Sequence, residues 1–272
     1  MQYFRDFLNF YINGSIHVAL AVVSLSLLSF LEFNLPIDKS LLLFIFFGSI
    51  TGYNFVKYAS IAKLHHRSLA RNLRLIQVFS LICFLVFLYL VFQQELKILI
   101  TAAILGVFTL LYAIPPGQHN KNMRNIGGIK IFIIAFVWAG VTVIFPTLNK
   151  IEPARLVLTF LQNFCFVVAI TIPFEIRDLK FDADTLKTIP QQLGVKNTKK
   201  MGYSLLGIML LLELWKVNDL KVNLTALILV LLISGFFIKY SRMNQKDYFA
   251  SFWVESIPIF WLISWLVINF LV

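Results

Sequence analysis

The sequence predicts an all-α polytopic membrane protein: a single integral domain over residues 1–272, built as a bundle of nine transmembrane helices. Three observations predict it. Hydrophobic residues make up 59% of the chain, with 28 Phe, and the mean hydropathy is +0.82, well outside the usage of water-soluble domains. The apolar residues fall in continuous runs of roughly 17 to 23, the length that crosses about 30 Å of hydrocarbon at about 1.5 Å per residue. The runs lack the alternation of a membrane barrel, so the spanning form is helical.

Taken in order, the N-terminal MQYFRDFLNFYINGS carries both charge signs and an Asn-Gly pair. It reads as an amphipathic lead-in to the first helix and not as a cleavable signal, so no processed form is expected. The spans then follow at 15–33, 40–56, 75–93, 97–115, 127–146, 155–174, 201–216, 222–240 and 249–271. The seventh is short. The connections alternate between long basic loops and short turns, a rough period of two helices that puts the long loops on one face.

The basic residues orient the bundle, because Lys and Arg collect in cytoplasmic loops while acids contribute little to orientation. Arg5 precedes the first span. Lys57 to Arg74 follow the second, Lys121, Arg124 and Lys130 the fourth, Arg177 to Lys200 the sixth, and Lys239, Arg242 and Lys246 the eighth. The opposite side carries Lys39, Lys97, Lys150, Arg155, Lys216 and Lys221, offset by acids such as Glu32, Glu152 and Glu213. The expected placement is therefore a bacterial inner (cytoplasmic) membrane, with the N-terminus cytoplasmic and the C-terminus on the opposite side. Orientation and anionic lipid account for most of the net charge of +11, and no nucleic-acid partner is expected. The two cysteines, Cys83 and Cys165, fall inside spans as packing residues, too few for a disulfide framework or a zinc site.

The polar chemistry concentrates in the longest loops. After the sixth span, Glu175, Asp178 and Asp182 are spaced i, i+3, i+7, which places three carboxylates along one stripe of a helix. Such a stripe suits Mg²⁺ bridging a polyphosphate, since Mg²⁺ keeps several waters and takes few protein ligands. The same residues also read as a solvated helical loop in which Arg177 and Lys180 neutralise the acids.

The string Ile176-Arg-Asp178-Leu-Lys-Phe-Asp182-Ala-Asp-Thr-Leu-Lys187-Thr188-Ile-Pro-Gln-Gln-Leu193-Gly194 resembles the second aspartate-rich motif of the UbiA superfamily of intramembrane prenyltransferases, its menaquinone-type branch included. Asp178 and Asp182 match the family's Asp-x-x-x-Asp pair, Lys187-Thr188 its Lys-Thr, and Leu193-Gly194 its end. The resemblance implies a nine-helix bundle whose acidic motifs lie on cytoplasmic loops after the second and sixth helices. A further likeness is Leu111-Tyr112-Ala-Ile-Pro115-Pro116 at the end of the fourth span, with Arg124 and Lys130 beyond. The first motif departs from the family. Asn54 matches its opening asparagine, but Phe55, Tyr58 and Ala62 stand at its acidic positions, so the resemblance implies one Mg²⁺ rather than two.

The activity implied is transfer of a polyprenyl group from its diphosphate to an aromatic or other lipophilic acceptor, as in quinone biosynthesis. Asp178 and Asp182 are then the catalytic pair, joined by Glu175 as metal ligands. Asn54, Lys57, Tyr112, Arg124, Lys130 and Lys187 are the substrate-binding residues, and lysine serves phosphate as a point charge. Lys63, His65, His66 and Arg67 are further cations beside Lys57, while His65-His66 lacks the neighbours a metal site requires. Aromatic walls suit an allylic cation, although lipid-facing and core packing explain most of the Phe content. Two other classes share the sequence evidence. One is a catalytically silent relative that binds a prenyl lipid or quinone. The other is a transporter using Glu255, an acid inside the last span, as an ion or proton site.

Overall fold

The apolar runs fold as helices. The computed structural model describes residues 2–58, 70–113, 128–148, 151–182, 186–216 and 220–271, and no strand occurs among them. The chain opens with α1 (Gln2–Asn13), whose Tyr3, Phe4 and Phe7 are exposed, and bends by 56° into α2 (Ile16–Glu32). Then come α3 (Lys39–Tyr58), α4 (Ala70–Val91) and α5 (Leu96–Ala113). The next span is α6 (Ile129–Ala139), a π-helical turn at Gly140–Ile144 and α7 (Phe145–Thr147) in succession. It is followed by α8 (Pro153–Asp178), α9 (Ile189–Trp215) and α10 (Leu220–Tyr240). A second π-helical turn, Phe249–Val254, leads into α11 (Ile257–Leu271).

Every expected span overlaps a helix. Among the described residues, six helical segments are long and apolar enough to cross a membrane, and the bent α1–α2 pair makes a seventh. The chain is an integral membrane protein. The expected count of nine also includes α5, whose apolar part Leu96–Leu111 is short, and α9, whose first half carries Lys196, Lys199 and Lys200. These are the two segments whose length and apolarity fall short.

Helices adjacent in the chain are mostly adjacent in space, and α11 returns to pack on α2, which closes the bundle. At its centre α8 packs against α6, α9 and α10 and buries Phe166, Val167, Val168, Ala169, Ile172 and Ile176. Cys83 and Cys165 are buried free thiols, as packing residues should be. By contrast α4 lies outside α3 and turns Leu75, Val78, Leu81, Ile82 and Leu85 outward, the expected side chains for a lipid-facing surface. Gly202 lets α9 approach its neighbours: a Cβ there would lie 2.8 Å from Ile172 Cδ1 and 3.0 Å from Ile238 Cδ1.

A buried polar network locks the end of the bundle where α8 begins. Lys216 Nζ lies 2.9 Å from Glu32 Oε1 and 3.3 Å from Glu213 Oε2, with only 3% of its side chain exposed, and it also donates to Gln162 Oε1. Gln162 Nε2 donates to Glu213 Oε2 at 2.9 Å, Thr159 to Glu32 Oε1 at 3.1 Å, and Arg155 Nη2 to the Glu32 carbonyl at 2.9 Å. A cavity of about 20 Å³ beside Glu32, Glu213, Asn223 and Trp265 has room for one water. Removing one partner of such a pair strands a buried charge. Lys216→Met should therefore destabilise the protein by about 3–5 kcal/mol, seen as a lower melting temperature in detergent. An unchanged melting temperature would mean that the network adds nothing to stability.

Candidate active site

The other end of the bundle carries the acids. The last turn of α8 holds Glu175, Arg177 and Asp178, and the helical path continues beyond it: the Asp182 N–H donates to the Asp178 carbonyl at 2.9 Å. That i, i+4 bond sets Asp182 beside Asp178 on one face. Glu175 is buried, and Lys130, from the first turn of α6, reaches it at 2.7 Å. Arg177 Nε donates to Asp178 Oδ1 at 2.8 Å, and its guanidinium lies 5.2 Å from the Phe174 ring centroid. Asp178 and Asp182 both act electrostatically on Glu175. The three acids thus share one neighbourhood, with Lys130 and Arg177 among them.

The remainder of the acid-bearing loop shapes the start of α9. Thr188 is its N-cap, and Gln191 Oε1 accepts the Thr188 N–H at 2.8 Å, the N3 half of a capping box. Pro190 sits in the first turn, where its missing N–H costs nothing. Gln191 Nε2 also donates to the Asp182 carbonyl at 3.4 Å, which ties the new helix to the acid pair. Lys187 is exposed, with its backbone left-handed at φ 46°, and its carbonyl accepts from Gln192. Gly194, at φ 73°, kinks the helix where a side chain would be strained.

A second wall comes from α3. Asn54 is 3% exposed and ties the α1–α2 bend to α4: Oδ1 accepts from Ser15 at 2.7 Å, while Nδ2 donates to the Gly14 carbonyl at 3.1 Å and to Ser80 Oγ at 2.7 Å. Lys57 Nζ donates to the Ile12 carbonyl at 3.3 Å and Ser15 Oγ at 3.1 Å, and Tyr58 OH to the Asn13 carbonyl at 3.0 Å. Both expected ligands of the departing first motif are therefore also fasteners of the bend. Phe55, at another of its positions, is exposed. The structure still links this wall to the acid site, because Lys57 lies within electrostatic reach of Arg177.

Opposite stands the second π turn. His17, buried in α2, bonds Tyr11 OH through Nδ1 at 2.8 Å and the Phe252 carbonyl through Nε2 at 2.9 Å, and its ring stacks on Phe252. A carbonyl only accepts, so Nε2 carries the hydrogen and Nδ1 accepts from Tyr11. Ser256 Oγ lies 3.1 Å from Nε2. Between Phe252 and Ser256 the chain presents Glu255, half-buried and within electrostatic reach of Lys57 and Arg177.

Of the residues singled out by sequence, the structure brings together Lys130, Glu175, Asp178 and Asp182, while Asn54 is buried beside the α1–α2 bend and Lys57 is within electrostatic reach of Arg177. Lys187 stands exposed at the rim. The Tyr112 side chain and Arg124 lie outside the described residues, as do Ala62, Lys63, His65, His66 and Arg67. Sequence reasoning took Arg177 as a neutraliser of acids, and its bond to Asp178 agrees, but its reach to Lys57 and Glu255 has no signal in a linear pattern. His17 and Ser15 gave no signal either.

Among the described residues no three His, Cys, Asp or Glu side chains group as a cage for a metal ion. Lys130 engages Glu175 and Arg177 engages Asp178, while Asp182 lies one helical turn beyond Asp178. Two carboxylates fit Mg²⁺, which is commonly held by one or two such groups together with phosphate oxygens and water.

No family model and no curated protein sequence matches the chain. Two solved structures do. One, from work on a digeranylgeranylglyceryl phosphate synthase in membranes, is 18% identical over 98% of each chain, with a TM-score of 0.58. The other, an apo UbiA homolog from Aeropyrum pernix K1, is 12% identical over 94% of this chain and 98% of that one, with a TM-score of 0.66. The chain has the UbiA fold. Matches that run nearly end to end in both proteins mean that the whole bundle, and not one helical hairpin, carries the UbiA likeness.

The bend in the UbiA bundle gives a direct test of what Asn54 does. Asn54→Ala removes the acceptor of the Ser15 hydroxyl and a donor to the Gly14 carbonyl, and should cost about 1–3 kcal/mol, read as a lower melting temperature. A variant that melts like the wild type would mean that the Asn54 bonds add nothing to stability.

Proposed function

We propose that the protein is an intramembrane prenyltransferase that moves a polyprenyl group from its diphosphate to an aromatic or other lipophilic acceptor, such as a quinone precursor. The observation that carries this reading is the cluster at the end of α8, where Glu175, Asp178 and Asp182 meet Lys130 and Arg177 inside a UbiA fold. In the reaction the C–O bond to diphosphate breaks and its electron pair leaves with the diphosphate. A bond forms between the prenyl carbon and the acceptor, which gives up a proton. Negative charge grows on the diphosphate oxygens, so cations fixed in advance lower the barrier. Lys57, Lys130, Arg124 and Lys187 are the proposed phosphate-facing cations, with Asn54 and Tyr112 beside them. Asp178 and Asp182, with Glu175 next to them, are the proposed holders of one Mg²⁺, which when bound would neutralise charge on the diphosphate. The apolar helices house the isoprenoid and keep water from the allylic carbon.

The same reading takes the chain as one nine-span domain in a bacterial inner membrane, with its N-terminus and acid site cytoplasmic, as the basic loops support. A second reading, a silent relative that holds a prenyl lipid or quinone, is favoured by one observation. Asn54 and Lys57 fasten the α1–α2 bend, and no acid stands at residues 55, 58 or 62.

Labelled geranylgeranyl diphosphate, offered to the detergent-purified protein with and without Mg²⁺, separates the two. Metal-dependent binding followed by diphosphate release supports the transferase. Binding that never leads to release, across a panel of lipophilic acceptors, supports the silent relative. Asp178→Ala and Asp182→Ala should each abolish the Mg²⁺-dependent part of binding while the protein stays folded, and unchanged binding in both would sink the metal assignment. Lys57→Ala should weaken binding by about 1–3 kcal/mol, the range of a charge-assisted contact. Unaltered affinity would return Lys57 to the bend alone.

A further inference from the structure

Only the second half of α1 is engaged by the bundle. Asn9 Oδ1 accepts from Tyr248 OH at 2.7 Å, the Phe10 ring meets Phe79 of α4 edge-on with centroids 5.3 Å apart, Tyr11 OH bonds His17, and Ile12 is buried. The first half projects beyond these contacts. There Tyr3, Phe4 and Phe7 are 92%, 71% and 65% exposed, an aromatic patch of the kind that marks an interaction surface.

Helical periodicity sorts these residues by side. Gln2, Arg5, Asp6, Asn9 and Asn13 fall on one stripe of α1, and the aromatic residues take the opposite side. That aromatic side runs on into the lipid-facing surface of the bundle. Phe10 lies on it and packs against α4, the helix whose Leu75, Val78, Leu81, Ile82 and Leu85 turn outward.

The lengths of the two helices set the level of the bend. With α2 near the membrane normal, its 17 residues span about 25 Å, slightly less than about 30 Å of hydrocarbon, so the bend falls near the hydrocarbon edge. From there α1, with 12 residues and turned by 56°, climbs by only about 10 Å, comparable to the headgroup layer. The bonds from Asn54, Lys57 and Tyr58 to the Gly14, Ile12 and Asn13 carbonyls oppose straightening of the pair into one long span.

We propose that α1 is an interfacial anchor, inclined across the headgroup–acyl boundary of the bilayer that holds the bundle, with Tyr3, Phe4 and Phe7 in lipid and Gln2, Arg5 and Asp6 towards water. Amphipathic helices take this position with the apolar face down, and amphipathic rings such as that of Tyr favour the same level. Arg5 and Asp6 are the only charged side chains of α1 and they cancel, so buried apolar area, and not anionic lipid, holds the helix. The anchor goes beyond the prenyltransferase reading and does not depend on it.

The test is spin-label depth on the full-length protein in lipid nanodiscs. Phe4→Cys, Phe7→Cys, Arg5→Cys and Asp6→Cys each carry one nitroxide, Leu81→Cys on α4 gives a mid-span reference, and the wild type, whose Cys83 and Cys165 are buried, is the blank. Relaxation by dissolved oxygen against a water-soluble nickel chelate reports depth. The Phe4 and Phe7 sites should lie about 5–10 Å below the phosphates, shallower than the Leu81 site, while the Arg5 and Asp6 sites meet nickel. The same depths should be found in zwitterionic and in anionic nanodiscs. Four sites equally open to nickel would place α1 in water and overturn the anchor. So would Phe4 and Phe7 sites shielded from both reagents, which would mean a protein cover such as a second copy of the chain, or sites as deep as Leu81. Depth found only in anionic lipid would overturn the apolar basis of the anchor.

Discussion

Much of the bundle depends on how the α1–α2 bend is fastened. Ser15 adopts a left-handed backbone at φ 62°, a conformation that a serine reaches only at a cost of order 1 kcal/mol and keeps only if its surroundings insist. Asn54, Lys57 and Tyr58 supply that insistence by bonding Gly14, Ile12, Asn13 and Ser15 itself. In an apolar bundle a freed carbonyl at a bend has no water to turn to, so every one needs a side-chain donor. The bend sends α1 away from α2 and places Tyr11 against His17. His17 in turn fixes the π turn before α11, and that turn decides where Glu255 stands.

The same rule governs the far end, by different means. There Lys216 stands between Glu32 and Glu213, and Thr159 and Gln162 donate to the same two carboxylates. Near the end of α8 the ion pairs are single contacts: Lys130 joins Glu175 at 2.7 Å and Arg177 joins Asp178 at 2.8 Å.

The acid-bearing loop shows two kinds of constraint within one short string. Asp178 and Asp182 share a face because the helical path runs on past α8. Thr188, Pro190, Gln191 and Gly194 have nothing to do with charge; they cap, start and kink α9. The Gln191 bonds to the Thr188 N–H and the Asp182 carbonyl hold the next helix at a set distance from the acids. Chemistry and backbone geometry are thus interleaved, which is why the spacing of the whole string, and not the acids alone, resembles a family motif.

The membrane class, the positions of the helices and the acid stripe were all legible in the sequence. Each is a local property: the length of an apolar run, the excess of basic residues in a loop, or an i, i+4 interval on one helix. The amphipathic character of α1 was legible for the same reason, and so was the lack of acids at residues 55, 58 and 62. The partners of those residues were not. That Lys130 would meet Glu175, that Asn54 and Lys57 would fasten a bend centred on Ser15, or that His17 would bond the π turn before α11 has no trace in any window of sequence. Such pairs join residues about 40 to 235 positions apart, and they form only when the helices pack, α11 against α2 among them. The sequence by itself determined a helical membrane bundle with an acid-bearing loop; the tertiary structure decided which charges pair, because that depends on how the helices pack and not on what any one of them contains.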